Sequence, residues 1–412
     1  MDERVAARSG SQVEKTSKAA LPERRGSPAR PKSSGFERVV LLLQGGGALG
    51  AYQAGVYEAL AEADLHPDWV AGVSIGAINA TIIAGNAPDR RVEKLREFWE
   101  RITDSWFDVG ARGWERLSAH GGSARGSLNQ MSATAALMAG TPGFFQPRIL
   151  SPWLQVPGTL EATSYYDTAQ LKTTLESLID FERVNSEHAE TRLSLGAVNV
   201  RSGNLVYFDS PGQIIRPEHV MASGALPPGF PAIEIEGEHY WDGGLVSNTP
   251  LVWIAMTQQR PPDSLVFQVD LWSARGEFPR NLAEVATRQK EIQYSSRTRA
   301  FTDYFKHIAK LRNMLAVFLE ELPEEMRQRE EVKYLHSVAD RHAVNIVQLI
   351  YRPSDYEGDS KDYEFSRRSM EEHWRAGYND AVHALQHPEI YERSSSRYET
   401  LVTFDFSRDR GE

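Results

Sequence analysis

The chain has 412 residues, a quarter of them charged, a net charge of −10 and no cysteine. That length carries two or three domains' worth of chain and a sizeable core. The missing cysteines exclude a disulfide framework, a zinc–thiolate site and a cysteine nucleophile, and they fit a reducing, cytoplasmic setting. The acidic balance argues against bulk nucleic-acid binding, and no apolar run approaches the roughly 18 residues that span a bilayer.

Residues 1–35 are a different material, rich in Arg, Lys, Ser, Ala and Pro, with eight basic against four acidic residues. They lack the apolar core of about 7–15 residues that marks a secretory signal. The expectation is a solvated, disordered tail; the sharper alternative is that its basic excess weakly attracts anionic lipid, giving peripheral membrane contact.

The stretch at 38–84 carries the first chemistry. Val39–Leu43 is an unbroken apolar run, the pattern of a strand covered on both faces, and it stops at Gly45-Gly46-Gly47. A helical pattern follows from Ala48 to about Ala63. Trp69–Val73 is a second apolar run, broken at Ser74, and Ile75–Ala84 reads as a buried helix. Gly72-Val73-Ser74-Ile75-Gly76 therefore has the form G-x-S-x-G between a strand and a helix. In that context it presents a serine hydroxyl on a sharp turn, with Gly72 and Gly76 relieving the crowding and a helix N-terminus favouring negative charge. Ser74 is the candidate nucleophile; a plain glycine-flanked turn is the bland alternative.

The glycine turn admits more than one reading. Gly45, Gly47 and Gly50 fit the G-x-G-x-x-G dinucleotide fingerprint. That reading needs an acidic residue after the next strand, whereas Asp64 and Asp68 precede it and Ser74 follows it. The favoured reading is an oxyanion hole formed by the backbone amides of Gly45, Gly46 and Gly47, with a nucleotide loop or a tight packing turn as alternatives.

Arg90–Arg101 reads as a charged outer helix. Residues 103–160 hold Trp106, Phe107, Trp114, Phe144, Phe145 and Trp153 among many Gly and Pro residues. They suit either a lid or acyl-chain wall, or satellite core under a loop. A helix capped by Asp167, a hairpin turning at Arg201–Asn204, a helix over Pro217–Ser223 and a Pro-rich block at Leu226–Pro231 follow. Tyr240-Trp241 is a short strand leading into Asp242-Gly243-Gly244, and Asn248 or Thr249 caps the next helix with Pro250 in its first turn. Ser264–Leu271 reads as the last strand of the main sheet. From about residue 273 the chain is long, charged and helix-favouring, interrupted by a strand at Asn345–Tyr351. Packing over the preceding domain or oligomerisation is its expected role, with shaping of the substrate entrance as the sharper option.

The blocks GGGALG, GVSIG and DGG, in that order, together with ASGALPPGFP (Ala222–Pro231), resemble the signature segments of the patatin-like phospholipases over roughly residues 38–272. One departure is Leu49, where many members carry Arg or Lys. The tail resembles a C-terminal region of uncharacterised function that accompanies some bacterial patatin-like domains. The resemblance implies an α/β fold, a three-layer α/β/α sandwich on a mostly parallel sheet, plus a largely helical C-terminal region. Domain boundaries at 1–35, 36–272 and 273–412 follow, with 103–160 as an insertion.

The resemblance also assigns the proton acceptor to Asp242, giving a Ser74–Asp242 dyad, with Gly243 and Gly244 letting the backbone bring the carboxylate close. The implied activity is hydrolysis of phospholipid or other acyl-ester lipid through an acyl-enzyme, with no cofactor and no metal. Three rivals stand beside it. A histidine triad would use His219, His239 or His373; a nucleotide-binding oxidoreductase would use the glycine loop; a catalytically silent lipid-binding scaffold would keep only the fold. Neither the particular ester nor the oligomeric state is legible.

Overall fold

A computed structural model describes residues 24–26, 35–104, 122–257, 262–353, 357–358, 360–394, 396 and 399–406. Most of the basic tail, together with Trp106, Phe107 and Trp114, lies outside the described residues. The strands are β1 (Arg38–Leu43), β2 (Trp69–Val73), β3 (Gln146–Pro147), β4 (Tyr166–Asp167), β5 (Arg192–Asn199), β6 (Leu205–Asp209), β7 (Ile233–Ile235), β8 (Glu238–Asp242), β9 (Ser264–Asp270), β10 (Val344–Ile350) and β11 (Leu401–Phe404). The first six α-helices are α1 (Ala51–Glu62), α2 (Ile75–Ala84), α3 (Arg91–Ile102), α4 (Gly122–Ala139), α5 (Ala169–Leu178) and α6 (Phe181–Val184). After them come α7 (Pro217–Ser223), α8 (Leu251–Met256), α9 (Leu282–Glu320), α10 (Glu324–Arg327), α11 (Glu330–Val338) and α12 (Arg367–Leu385).

The main sheet has the order β11-β10-β9-β1-β2-β5-β8-β7, with β6 on β5. Every pair from β11 to β5 is parallel, whereas β6, β7 and β8 are antiparallel. The apolar runs at β1 and β2 are continuous because both faces are covered. Val40, Leu42, Trp69 and Ala71 point to the side packed by Leu251 and Ile254 of α8. Leu41, Leu43 and Val70 point the other way, into the larger core built with α1, α2 and α3. This is the three-layer α/β/α arrangement.

Ser264–Leu271 is not the last strand of the sheet. β10 pairs with β9 in parallel along its whole length, from Val344↔Ser264 to Ile350↔Asp270, and β11 pairs with β10 beyond it. A strand as buried as β9 needs a partner on each edge, and the charged crossover helices between residues 282 and 338 hide that continuity in the sequence. The C-terminal region is mainly helical and also supplies these two strands.

Two capping expectations are corrected. Asp167 lies in β4 and accepts the Ala169 amide at 2.8 Å, so α5 starts two residues later. Pro250 itself occupies the cap position of α8, which leaves Asn248 and Thr249 for other partners.

Helix α12 packs on α1 at backbone contact distance. A Cβ on Gly377 would stand 1.9 Å from the Tyr52 carbonyl oxygen, and one on Gly55 would stand 1.8 Å from that of Trp374. The Tyr52 hydroxyl donates to Asp380 (2.8 Å) and that of Tyr378 to Glu62 (2.7 Å). Gly377→Ala is therefore expected to force the helices apart at an overpacking cost of about 1–3 kcal/mol. The urea midpoint should fall accordingly, while Gly358→Ala, where nothing lies within 4 Å, should leave it unchanged.

Candidate active site

β5 is the template for the site. Its residues pair with β2 up to Val73↔Gly196, and with β8 from Ala197↔Asp242 onward. β6 occupies the opposite edge over both stretches, from Ser194↔Asp209 to Val198↔Leu205. So β2 and β8 share one edge of β5 and meet there carboxyl end to carboxyl end. Ser74 leaves the first strand where Asp242 closes the second, at the carboxyl ends of the parallel strands, where open α/β sheets place ligands.

Ser74 caps α2 with φ 57° and ψ −128°, a left-handed conformation that costs a non-glycine residue on the order of 1–3 kcal/mol. Its amide donates to the hydroxyl and the carbonyl of Ser223, both at 3.1 Å, and the Ser223 hydroxyl donates to the Gly196 carbonyl at 2.6 Å. The flanking glycines are sterically required. A Cβ on Gly72 would lie 2.2 Å from the Gly76 carbonyl oxygen, and one on Gly76 would lie 2.3 Å from that of Leu43.

Asp242 is buried and lines the same cavity as Ser74, and it accepts the Gly244 amide at 2.7 Å. Burial pushes its carboxyl up to about 6, with the hydrogen bonds from Ser74 and Gly244 pulling the other way. Gly243 runs against β5: a Cβ there would meet the Gly196 carbonyl oxygen at 2.5 Å. Gly244 leaves similarly little room, 3.0 Å from Asp242 Oδ1.

The glycine loop divides its labour. Gly45 departs from the expected role of oxyanion donor. Its amide donates to the Asn248 carbonyl at 3.3 Å, and its carbonyl accepts Asn248 Nδ2 (2.9 Å) and Trp272 Nε1 (3.0 Å). What Gly45 contributes is the missing Cβ, which would stand 2.9 Å from the Cβ of Ser74. The amides of Gly46 and Gly47 donate to no protein acceptor among the described residues, and both glycines line the cavity with Ser74 and Asp242. Gly50 lies against Ile75, where a Cβ would approach to 2.6 Å, and Leu49 is buried.

The cavity holds about 300 Å³. Its apolar wall combines Ile75 and Ile78 of α2 with an aromatic group of Phe144, Phe145, Phe230 and Phe365, whose neighbouring rings lie 5.3–6.1 Å apart. Within the 103–160 segment, Phe144 and Phe145 thus belong to the cavity and Trp153 is exposed. The C-terminal region adds Tyr294, Asp362 and Tyr363. Asp362 is held by Lys290 at 2.9 Å, and its carbonyl accepts the Ala48 amide at 2.8 Å, against the glycine loop. Burial, with Asp242 and Asp362 nearby, pushes the Tyr294 phenol up to about 12, so it remains protonated.

Sequence reading missed the supports. Gln44 accepts the Leu271 and Trp272 amides (2.6 and 3.0 Å) and donates to Thr249 (3.0 Å), tying the ends of β1 and β9 to the turn after β8. A glutamine closing an apolar strand was the available signal. Asn248, read as a helix cap, braces Gly45 instead.

The rival constellations do not assemble. Among the described residues no histidine lines the cavity. His219 packs on Phe208 and accepts the Arg216 amide, His373 sits by Glu357 and His239 pairs with Glu234 on the sheet edge. Asp68 accepts the Val39 amide (2.7 Å) at the amino end of the strands, opposite the glycine loop, and Asp64 ends α1 on that same side. The two carboxylates that the dinucleotide reading would have used therefore lie away from the glycine loop.

The fold and this cavity define a class of α/β proteins with a serine turn facing an aspartate. Residues 41–255 match the family described as Patatin-like phospholipase, and residues 292–397 match one described as Patatin phospholipase. The chain belongs to the patatin-like phospholipase family. A patatin-like phospholipase domain-containing protein of Coccidioides immitis (strain RS) is 38% identical over 80 residues, which are 19% of this chain and 11% of that protein. The match thus spans about a tenth of that relative's length. Among solved structures, VipD from Legionella pneumophila matches at 14% identity and a TM-score of 0.36, over 89% of this chain and 71% of that one. The type III effector protein ExoU matches at 14% identity and a TM-score of 0.31, over 87% of this chain and 54% of the other.

The raised carboxyl of Asp242 has a consequence for stability. Its folded pKa lies above the unfolded value, so it stabilises fully only below the unfolded pKa, and that stabilisation is lost as pH rises through about 6. Asp242→Asn is therefore expected to raise the thermal midpoint over wild type at pH 8, with the gain shrinking as pH falls from 6 towards 4. A separate variant, Asn248→Ala, releases Gly45 next to the Gly46 and Gly47 amides and is expected to lower kcat on a soluble ester about 10–100-fold, less than the roughly 10²–10³ that outright loss of an oxyanion donor costs.

Proposed function

We propose that this chain is a serine-dependent lipid acyl hydrolase that cleaves carboxylic esters. The observation that carries the reading is the meeting of Ser74 and Asp242 in one apolar cavity beside the two unspent amides of Gly46 and Gly47. Ser74 Oγ attacks the ester carbonyl carbon while Asp242 takes its proton. The carbonyl oxygen becomes an oxyanion facing the Gly46 and Gly47 amides and the N-terminus of α2. Asp242 returns the proton to the departing alcohol, leaving an acyl-serine. Water then attacks the acyl-serine with Asp242 again as base, and the released Ser74 takes the proton back as the fatty acid leaves.

An unperturbed aspartate, with a pKa of about 3.9, is a feeble base for a hydroxyl. Desolvation to about 6 strengthens Asp242 yet leaves it mostly ionised at neutral pH. The aromatic wall suits an acyl chain, and family membership supports phospholipid or a related acyl-ester lipid as substrate. Cytoplasmic placement is part of the same reading.

The test is a panel of lipid classes scored by released fatty acid, run with wild type, Ser74→Ala and Asp242→Asn. Both variants should fold and lose about 10³-fold or more of the activity. Wild-type kcat/KM should fall on acidification through about pH 6. Turnover by Ser74→Ala equal to wild type would remove the reading.

A further inference from the structure

Residues 148–165 form a loop between β3 and β4, and most of the exposed side chains from Ile149 to Leu160 are apolar. Ile149 is fully exposed, and Trp153, Leu154 and Val156 are 85%, 76% and 70% exposed, with Leu150 and Leu160 more than half exposed. No residue from Ile149 to Leu160 carries a charge. Scattered exposed apolar residues need no explanation, but a contiguous group marks a surface with an occupant.

The loop is held firmly at its base. β3 and β4 pair at Gln146↔Asp167 and Pro147↔Tyr166, and the Arg148 amide closes the neck on the Tyr165 carbonyl at 3.0 Å. The Arg148 guanidinium donates to Ser164, and the amides of Tyr165 and Tyr166 donate to the carbonyls of Pro228 and Gly229 at 3.1 and 2.9 Å. Short turns satisfy part of the loop's own backbone, as in Leu154 to Ser151 and Thr159 to Val156. The apolar side chains are therefore presented by an anchored element.

The base of the loop is also the wall of the cavity. Phe145, just before β3, and Tyr166, in β4, both line it, and the Tyr166 hydroxyl donates to the Leu137 carbonyl at 2.9 Å. Leu137 faces the cavity and solvent at once, and its neighbour Met138 is exposed. Exposed apolar residues thus stand on the loop and at Leu137 and Met138, and Leu137, Phe145 and Tyr166 at the loop's base line the cavity that holds Ser74.

We infer that residues 149–160, with Leu137 and Met138, are the surface by which this protein seats on a lipid bilayer. Trp153 and the flanking aliphatic side chains enter the leaflet, and the cavity mouth is held against it. The choice of lipid as occupant rests on the acyl-hydrolase reading of the adjoining cavity. An uncharged, tryptophan-bearing loop suits the boundary between head groups and acyl chains. A lipid drawn from the bilayer would pass along apolar surface into the cavity without its chain crossing water.

The experiment uses the full chain carrying Ser74→Ala, so that no lipid is consumed. Partition onto phosphatidylcholine vesicles is measured by co-sedimentation, with and without Ile149→Ser, Leu150→Ser, Trp153→Ser and Leu154→Ser combined. The four exposed substitutions are expected to weaken partition at least tenfold. In the wild-type background they should reduce vesicle hydrolysis similarly while leaving turnover of a water-soluble p-nitrophenyl ester within twofold. Vesicles with brominated acyl chains should quench a component of the tryptophan fluorescence that Trp153→Phe removes. Unchanged partition of the fourfold variant would overturn the inference. So would a change in its oligomeric state at unchanged partition, which would assign the surface to a second copy of the chain. Failure of wild type to hydrolyse any ester, with loop-dependent partition intact, would sink the hydrolase reading alone.

Discussion

Two strands of opposite direction end against each other on one edge of β5, and the candidate site depends on that abutment. Val73 pairs with Gly196 and Asp242 with the next residue, Ala197, so one step along β5 fixes the spacing of hydroxyl and carboxylate. Ser223 locks the junction by accepting the Ser74 amide and donating to the Gly196 carbonyl. The strained backbone of Ser74 persists because these contacts and the close approach of Gly72 and Gly76 over-determine it. Gly196 is itself part of the constraint, since a Cβ there would meet Val73 at 3.0 Å.

The same junction sets the electrostatics. The carboxylate at its end is out of water, with the Gly244 amide as its hydrogen-bond donor and Ser74 lining the same cavity. Among the described residues no cation pairs with it, and burial dominates its pKa. A salt bridge would have kept the carboxyl low and the base weak. Asp270, nearby on β9, is also buried and held at about 6, but its partners are Gln268 and Thr249 and it does not line the cavity. A raised carboxyl alone therefore does not single out a candidate base; Asp242 is distinguished by sharing the cavity with Ser74.

The local pieces of this arrangement were legible in the sequence. The β1 and β2 runs, the two turns and Asp242-Gly243-Gly244 are each specified within a few residues, by apolar continuity that breaks at small residues. What was not legible are the pairings that cross the chain. Gln44 finds Thr249 and Leu271 more than 200 positions away, and Asn248 braces Gly45 across a similar gap. Nothing in the local pattern of a glutamine or an asparagine states its distant partner, so Asn248 read as an ordinary helix cap. The membership of β10 in the main sheet was hidden for a related reason. A short apolar strand is readable, but the sheet it joins is decided by packing across the charged crossover.

These long-range contacts bear on what the C-terminal region is. Segments 41–255 and 292–397 match separate family descriptions, yet they share one sheet through β9 and β10 and one helix contact through Gly55 and Gly377. The second segment also reaches the catalytic loop. The Asp362 carbonyl occupies the Ala48 amide and stands where a Cβ on Gly47 would be, 2.1 Å away, so the left-handed turn at Gly47 is shaped against it. Among the described residues, the loop amides left without a protein acceptor are those that neither Asn248 nor Asp362 takes. The geometry of the glycine loop is thus set from both sides, by the turn after β8 and by a residue more than 300 positions along the chain. A fragment ending after β9 would keep Ser74 and Asp242 but lose one of the two walls that decide which amides stay unspent.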